Sequence, residues 1–209
     1  MLSHVTGKRY ICSHLQRGRS NDSWNYRPVS LTSVVCKKKI EPLIAGYLRK
    51  DWEMSGWLYE GQHGFRPGYS CESQLVMVCQ YIADSLDKGV RTDAIIIDFS
   101  KAFDLVPRDT LLTKIAATGV DLRVVVWVKE FLLGRSQKVR IDGQLSEEIR
   151  VTSGVPQGSV LGPLEFLAYV NEIWRNTEPN IRLFADDCIK YRKIMDSGYI
   201  DKLQTAQSD

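Results

Sequence analysis

No stretch of this 209-residue chain approaches the roughly 18 continuous apolar residues that a membrane-spanning helix requires, which argues for a soluble protein without a membrane partner. The residues that build zinc and disulfide frameworks are also scarce. Five cysteines make an odd number and include no Cys-x-x-Cys pair, and His4, His14 and His63 form no ligand cluster with cysteines at finger spacing. Structural zinc and a disulfide scaffold are therefore both disfavoured, and the thiols point to a reducing compartment. The first residues lack the apolar core of a secretory signal, and no internal repeat or low-complexity linker interrupts the chain.

An apolar content of 44% is enough for a substantial core. The net charge of +3 conceals an uneven distribution: residues 1–50 contain ten Lys and Arg against two Asp and Glu, and the remainder eighteen against twenty-three. A basic amino-terminal part suits contact with phosphates, although a solvated basic face accounts equally well for the excess.

Two adjacent acids stand at the centre of an apolar run, Leu183-Phe184-Ala185-Asp186-Asp187-Cys188-Ile189. Strands on either side make this a tight hairpin with the carboxylates at its tip, where like charges repel unless a cation neutralises them. A solvated turn explains the pair by itself. The segment Asp93-Ala94-Ile95-Ile96-Ile97-Asp98-Phe99 is too short for a helix and apolar enough for a strand buried on both faces, ending on an acid. Beside the hairpin in one sheet, Asp98 would meet Asp186 at the sheet edge, where the two acids can hold two hard divalent cations, a pairing suited to phosphoryl or nucleotidyl transfer. A helix-capping or turn role for Asp98 remains open.

A third segment, Ser153-Gly154-Val155-Pro156-Gln157-Gly158-Ser159-Val160-Leu161-Gly162-Pro163, reads as a loop whose glycines permit close approach to a ligand, with Pro163 in the first turn of the following helix. An ordinary Gly-Pro connection is the simpler alternative. Elsewhere, Ser70 caps a helix to about Lys88 whose face is Leu75, Val78, Cys79, Ile82 and Leu86, closed by Gly89. Helices are expected from Pro107 to Thr118, stopped by Gly119, from Asp121 to Leu133, stopped by Gly134 and with a stripe of Val124, Val125, Val128, Phe131 and Leu132, and from about Pro163 to Trp174. Lys138 to Val151 reads as a hairpin around Asp142-Gly143.

In order and approximate spacing, Asp98 to Phe103, Ser153 to Pro163 and Phe184 to Asp187 resemble motifs A, B and C of reverse transcriptases, in wording similar to the non-LTR (LINE-type, jockey-like) retrotransposon branch. The upstream segments Asn25-Tyr26-Arg27-Pro28-Val29-Ser30-Leu31-Thr32-Ser33 and Gln62-His63-Gly64-Phe65-Arg66-Pro67-Gly68-Tyr69-Ser70-Cys71 resemble finger motifs of the same family, so the likeness runs from about residue 20 to 195.

The resemblance implies an α+β right-hand polymerase with an antiparallel palm sheet packed on helices. Residues 1–20 match poorly, 21–92 would be fingers, 93–195 the palm, and 196–209 a polar tail that stops before a thumb. It implies RNA-directed DNA synthesis from dNTPs on a DNA primer and RNA template, inside the cell, in the nucleus and in cytoplasmic ribonucleoprotein. Two Mg²⁺ ions, replaceable by Mn²⁺, would bind Asp98, Asp186 and Asp187, with Asp98 and Asp186 as the principal ligands. The nucleotide would meet Phe99, Phe103, Gln157 and Gly158. Phe103 would exclude a 2′-hydroxyl, Arg66 would grip the triphosphate with Arg27 as runner-up, and Gly154 and Pro156 would let the backbone approach the template. Lys101 and Asp104 would flank the pocket.

Departures from the family pattern accompany these matches. Glu165 stands where relatives place leucine; it shares a face with Glu172 and is harmless if that face is wet, but costly if buried without a partner. Cys188 replaces a threonine. With the missing thumb and the absence of an endonuclease before residue 20, these features leave room for a truncated or decayed element copy that folds and binds nucleic acid without catalysis.

Overall fold

The computed structural model describes residues 11–15, 26–30, 32–141, 144–175 and 180–194. Most of the 1–20 segment, the Asp142-Gly143 turn and the 196–209 tail lie outside the described residues. The chain divides into two compact units, 1–57 with 101–169 and 58–100 with 170–209, a partition that cuts across the expected boundary at residue 92.

In the first unit, strands β1 (Ile11–Leu15) and β2 (Tyr26–Ser30) pair antiparallel. A five-residue π-helical turn, Cys36–Ile40, leads into helix α1 (Glu41–Met54), which starts with Pro42 in its first turn. Helices α3 (Arg108–Ala117) and α4 (Leu122–Leu132) pack on each other and end at glycines of positive φ, Gly119 (81°) and Gly134 (63°). Asp121 caps α4 by accepting from the Arg123 amide, and the expected stripe turns Val128, Phe131 and Leu132 into the core. Trp52 of α1 donates through Nε1 to the Thr118 hydroxyl at 3.2 Å, tying α1 to the end of α3. The hairpin over 136–150 consists of β4 (Ser136–Gln137) with β7 (Ile149–Arg150) and β5 (Arg140–Ile141) with β6 (Gln144–Leu145). Helix α5 (Gly162–Val170) buries Leu164, Phe166, Leu167 and Ala168 and ends four residues before the expected Trp174.

Of the two alternatives for Glu165, the buried one holds. It is fully buried in α5, neither carboxyl oxygen has a hydrogen-bond partner, and burial with the nearby Glu41 carboxyl raises its pKa to about 8, against the opposing pull of Arg108.

The second unit is a three-stranded antiparallel sheet of order β3 (Arg91–Asp98), β9 (Asp187–Ile194), β8 (Asn180–Phe184), against which helix α2 (Cys71–Leu86) packs. A reciprocal cap starts α2: the Ser70 hydroxyl accepts from the Ser73 amide, and the Ser73 hydroxyl accepts from the Ser70 amide. Gly89 (φ 64°) closes its far end as expected. The buried stripe of α2 differs from the expected one. Val78 and Ser85 are buried, whereas Leu75 and Leu86 are 60% and 70% exposed. Ser85 tolerates burial because its hydroxyl donates to the Tyr81 carbonyl one turn back, a satisfaction that apolar counting does not register.

Strand β3 is likewise not buried on both faces. It lies at the sheet edge with its residues alternating, Ala94, Ile96 and Asp98 exposed and Ile97 packed against Ile181, Leu183 and Cys188. Cys188 thus serves as a small buried core residue, its thiol pushed up in pKa by burial.

Candidate functional site

In the second unit, β8 and β9 are joined by two residues, Ala185 and Asp186, with Phe184 and Asp187 as the closing pair. Ala185 holds φ at 57° in the first turn position, where two-residue hairpins favour glycine. The strain is offset by a brace from residues 61–64. Gln62 Oε1 accepts from the Ala185 amide at 2.9 Å and from the Gly64 amide at 2.8 Å. The His63 amide donates to the Leu183 carbonyl and the Leu183 amide to the Gly61 carbonyl, both at 2.8 Å. Residue 64 must be glycine because a Cβ there would collide with the backbone nitrogen of Ala185.

The antiparallel register sets Asp98 directly opposite Asp187, so both carboxylates leave the same face, while Asp186 occupies the turn beside them. The cross-strand partner of Asp98 is therefore Asp187, the residue expected only to assist. Asp187 is solvent-exposed, yet the surrounding protein raises its pKa, helped by the charges of Asp186 and Asp98. Among the described residues no Lys, Arg or His forms an ion pair with any of the three. The three carboxylates are hard oxygen donors of the kind that divalent cations take, and they stand as an open ledge: among the described residues no three His, Cys, Asp or Glu side chains come together in a group that could hold a metal ion.

Two other candidates lie nearby in the second unit. Phe99 follows Asp98 and is 36% exposed. Arg66 is occupied locally: Nη1 donates to the carbonyls of Tyr59 (2.8 Å) and Gln62 (3.3 Å), and the guanidinium lies 4.5 Å from the Tyr69 ring centroid. That makes it a support for the 59–69 loop, a role unlike the triphosphate grip expected of it.

The remaining candidates belong to the first unit. The Gly154 loop is held by Arg108, whose Nε, Nη1 and Nη2 donate to the carbonyls of Gly154, Val151 and Ser153 at 3.1, 2.7 and 2.9 Å. Gly154 has φ 82°, and a Cβ there would lie 2.6 Å from the Asp104 carbonyl oxygen; the close approach that its glycine permits is to this chain's own backbone. Gln157 Nε2 donates to Asp104 Oδ1 at 2.9 Å, and its carbonyl accepts from the Ser30 amide. Burial raises the Asp104 pKa, while the Gln157 bond, Lys101 and Arg27 pull it down. Pro156 accepts from the Ser159 amide and hydroxyl, and Gly158 (φ 84°) sits against Val29. Phe103 is half-buried and stacks on Phe166 with centroids 4.4 Å apart.

Two positioning residues escaped the sequence reading. Gln62 opens the Gln62 to Cys71 segment, whose resemblance implies a role for Arg66 and none for Gln62. Arg108 carried a signal of its own: a cation in the first turn of a helix opposes the helix dipole and therefore needs acceptors elsewhere.

Residues 19–207 match the family described as "Reverse transcriptase (RNA-dependent DNA polymerase)". The chain is 34% identical over 189 residues to "Probable RNA-directed DNA polymerase from transposon X-element" of Drosophila melanogaster, covering 86% of this chain and 20% of that protein. It is 33% identical over 139 residues to "RNA-directed DNA polymerase from mobile element jockey" of Drosophila funebris, covering 66% and 15%. The chain thus spans about a fifth or less of the length of these relatives. In fold it is similar to apo telomerase from Candida tropicalis truncated from the C-terminal domain, with a TM-score of 0.72 at 14% identity, covering 99% of this chain and 47% of the other.

Proposed function

The chain belongs to the reverse transcriptase family, and from that premise we propose that it is the RNA-directed DNA polymerase part of a jockey-like non-LTR element, extending a DNA primer on an RNA template from dNTPs. The observation that carries the proposal is the uncompensated register pair Asp98 and Asp187 with Asp186 at the adjoining turn. We assign these three carboxylates to Mg²⁺, with Mn²⁺ as a substitute. When bound, the cations supply charge neutralisation at the triphosphate and at the attacking 3′-oxygen.

The protein's own part is to hold the acids in place. Gln62 and Gly64 fix the turn that carries Asp186, and the β3–β9 ladder fixes Asp98 against Asp187. A primer oxygen presented to this ledge displaces pyrophosphate from the α-phosphorus of a dNTP, forming one phosphodiester bond as one anhydride bond breaks. Phe103 is assigned to exclusion of a 2′-hydroxyl, with Phe166 stacked behind it to limit its retreat. Gln157 and Gly158 are assigned to nucleotide recognition, with Asp104 orienting the Gln157 amide. The setting is intracellular, in the nucleus and in cytoplasmic ribonucleoprotein.

The test is primer extension on an RNA template with Mg²⁺ and dNTPs, comparing the chain with Asp187→Asn. The proposal requires metal-dependent product that the substitution reduces by at least about 10²-fold, the scale of removing one transition-state charge stabiliser. Equal product from both proteins would refute the metal assignment.

A further inference from the structure

Two carboxyl groups are sealed inside the first unit, Glu41 of α1 and Glu165 of α5, both 0% exposed. Glu41 Oε1 and both oxygens of Glu165 have no hydrogen-bond partner. The remaining oxygen, Glu41 Oε2, accepts from the Val160 amide at 2.6 Å, short as a bond to an ionised acceptor is. Glu41 stands in the first turn of α1, where the helix dipole favours that negative charge. Val160 lies two residues beyond Gly158 and three beyond Gln157, so this bond ties the downstream end of their loop to α1. The Ser159 hydroxyl carries the tie inward, accepting from the Gly162 amide and donating to the Pro156 carbonyl, both at 2.8 Å. At the upstream end, Arg108 of α3 holds the carbonyls of Val151, Ser153 and Gly154.

Two charged side chains thus clamp the loop from its two ends, and both act on Glu165. The Glu41 carboxylate opposes a negative charge there, and the Arg108 guanidinium favours one. Lys114, further along α3, turns instead to the Tyr169 carbonyl near the far end of α5, at 2.8 Å, and α5 itself contributes no second charge. With its proton in place, Glu165 leaves both clamps undisturbed. Without it, a second buried carboxylate pushes Glu41 away from Val160 and competes with three carbonyls for Arg108, in a site too dry for water to screen either effect. One proton therefore governs both ends of the loop.

We propose that Glu41 and Glu165 are positioning residues for nucleotide recognition, a one-proton latch that keeps Gln157 and Gly158 in place while Glu165 is neutral and releases them when it ionises. The nucleotide role of Gln157 and Gly158 rests on the polymerase reading above. The latch rests on the buried pair and its two clamps alone.

The test follows the backbone amides of the full chain by proton–nitrogen NMR from about pH 6.5 to about pH 9, a range that spans the titration, with thermal melts at both limits verifying the fold. In parallel, primer extension gives the KM for dATP over the same range. In the wild type, the Val160 and Gly154 amide resonances should move together with one midpoint near pH 8. The KM should rise by about tenfold across that midpoint, the factor for one lost bond to a charged group. Glu165→Gln cannot ionise and should abolish both changes. Glu41→Gln removes the repelling charge and should lower the midpoint by about one pH unit, a shift that a merely structural contact would not produce. Loop amides that titrate equally in Glu165→Gln, or a midpoint unmoved by Glu41→Gln, would overturn the latch. Titrating amides with a KM independent of pH would overturn its link to the nucleotide. Amides that titrate as expected in a chain that fails primer extension at every pH would support the latch and count against the polymerase reading.

Discussion

Glu165 provides the most quantitative handle on this fold. Its carboxyl is fully buried with both oxygens unpartnered, facing the fully buried Glu41, whose Oε2 accepts from the Val160 amide, and the Arg108 guanidinium. The pKa rises from 4.5 to about 8. Folding therefore takes up a proton between these limits: the stabilising effect of the neutral form is complete below about pH 4.5, declines as pH increases, and is gone above about pH 8. At about 1.4 kcal/mol per unit, the chain loses on the order of 3 kcal/mol from this residue by pH 7 and on the order of 5 by pH 8 and above. Glu165→Gln keeps the shape and removes the titration. Relative to wild type, the variant should gain stability progressively across that window, with a melting temperature at pH 7 higher by about 5 to 10 °C. Urea or thermal unfolding of the two proteins from pH 5 to 8.5 measures the difference. Parallel stability profiles would show that Glu165 ionises without penalty and that the burial argument is wrong.

Three further substitutions probe other contacts. Arg108→Ala leaves the carbonyls of Val151, Ser153 and Gly154 without their donor and should cost about 3 to 5 kcal/mol in denaturant unfolding, with Arg108→Lys recovering only a minor part. Gly154→Ala combines a left-handed backbone with a Cβ 2.6 Å from the Asp104 carbonyl oxygen and should lower stability by about 3 kcal/mol; a loss under about 1 kcal/mol would mean that the loop shifts freely. Phe103→Val should raise ribonucleotide incorporation relative to deoxynucleotide by about tenfold or more in primer extension, and an unchanged ratio would remove Phe103 as the sugar gate.

Local chemistry determined which parts could be read from the sequence. The Ser70 cap, the glycine stops after α3 and α4 and the acid hairpin are each encoded within a few adjacent residues, and each occurs where expected. Burial was harder to read. The face of α2 turned toward Val78 and Ser85 because Ser85 satisfies itself through the Tyr81 carbonyl, and Ile96 is 78% exposed because β3 is an edge strand with one uncovered face. Neither is a property of spacing. Pairing was intermediate: Asp98 and the Asp186-Asp187 pair could be placed in one sheet from their patterns, but the register that opposes Asp98 to Asp187 depends on the alignment of two strands separated by three helices. Arg66 shows the limit of residue-type reasoning, since a guanidinium suited to phosphate is equally suited to the carbonyls of its own loop.

The brace on the acid turn bears on the order in which the molecule assembles. Gln62 and Ala185 are 123 positions apart, and closing a loop of that size costs about 4 kcal/mol of chain entropy before any contact repays it. Until residues 61–64 have docked, Ala185 lacks the bonds that hold its left-handed backbone, and the hairpin is free to adopt other turns. The acids should consequently acquire their final spacing late in folding, after α2 and the local hairpins. Divalent-cation affinity then becomes a kinetic marker: in refolding experiments it should return with the slowest phase, behind helix content measured by far-ultraviolet circular dichroism.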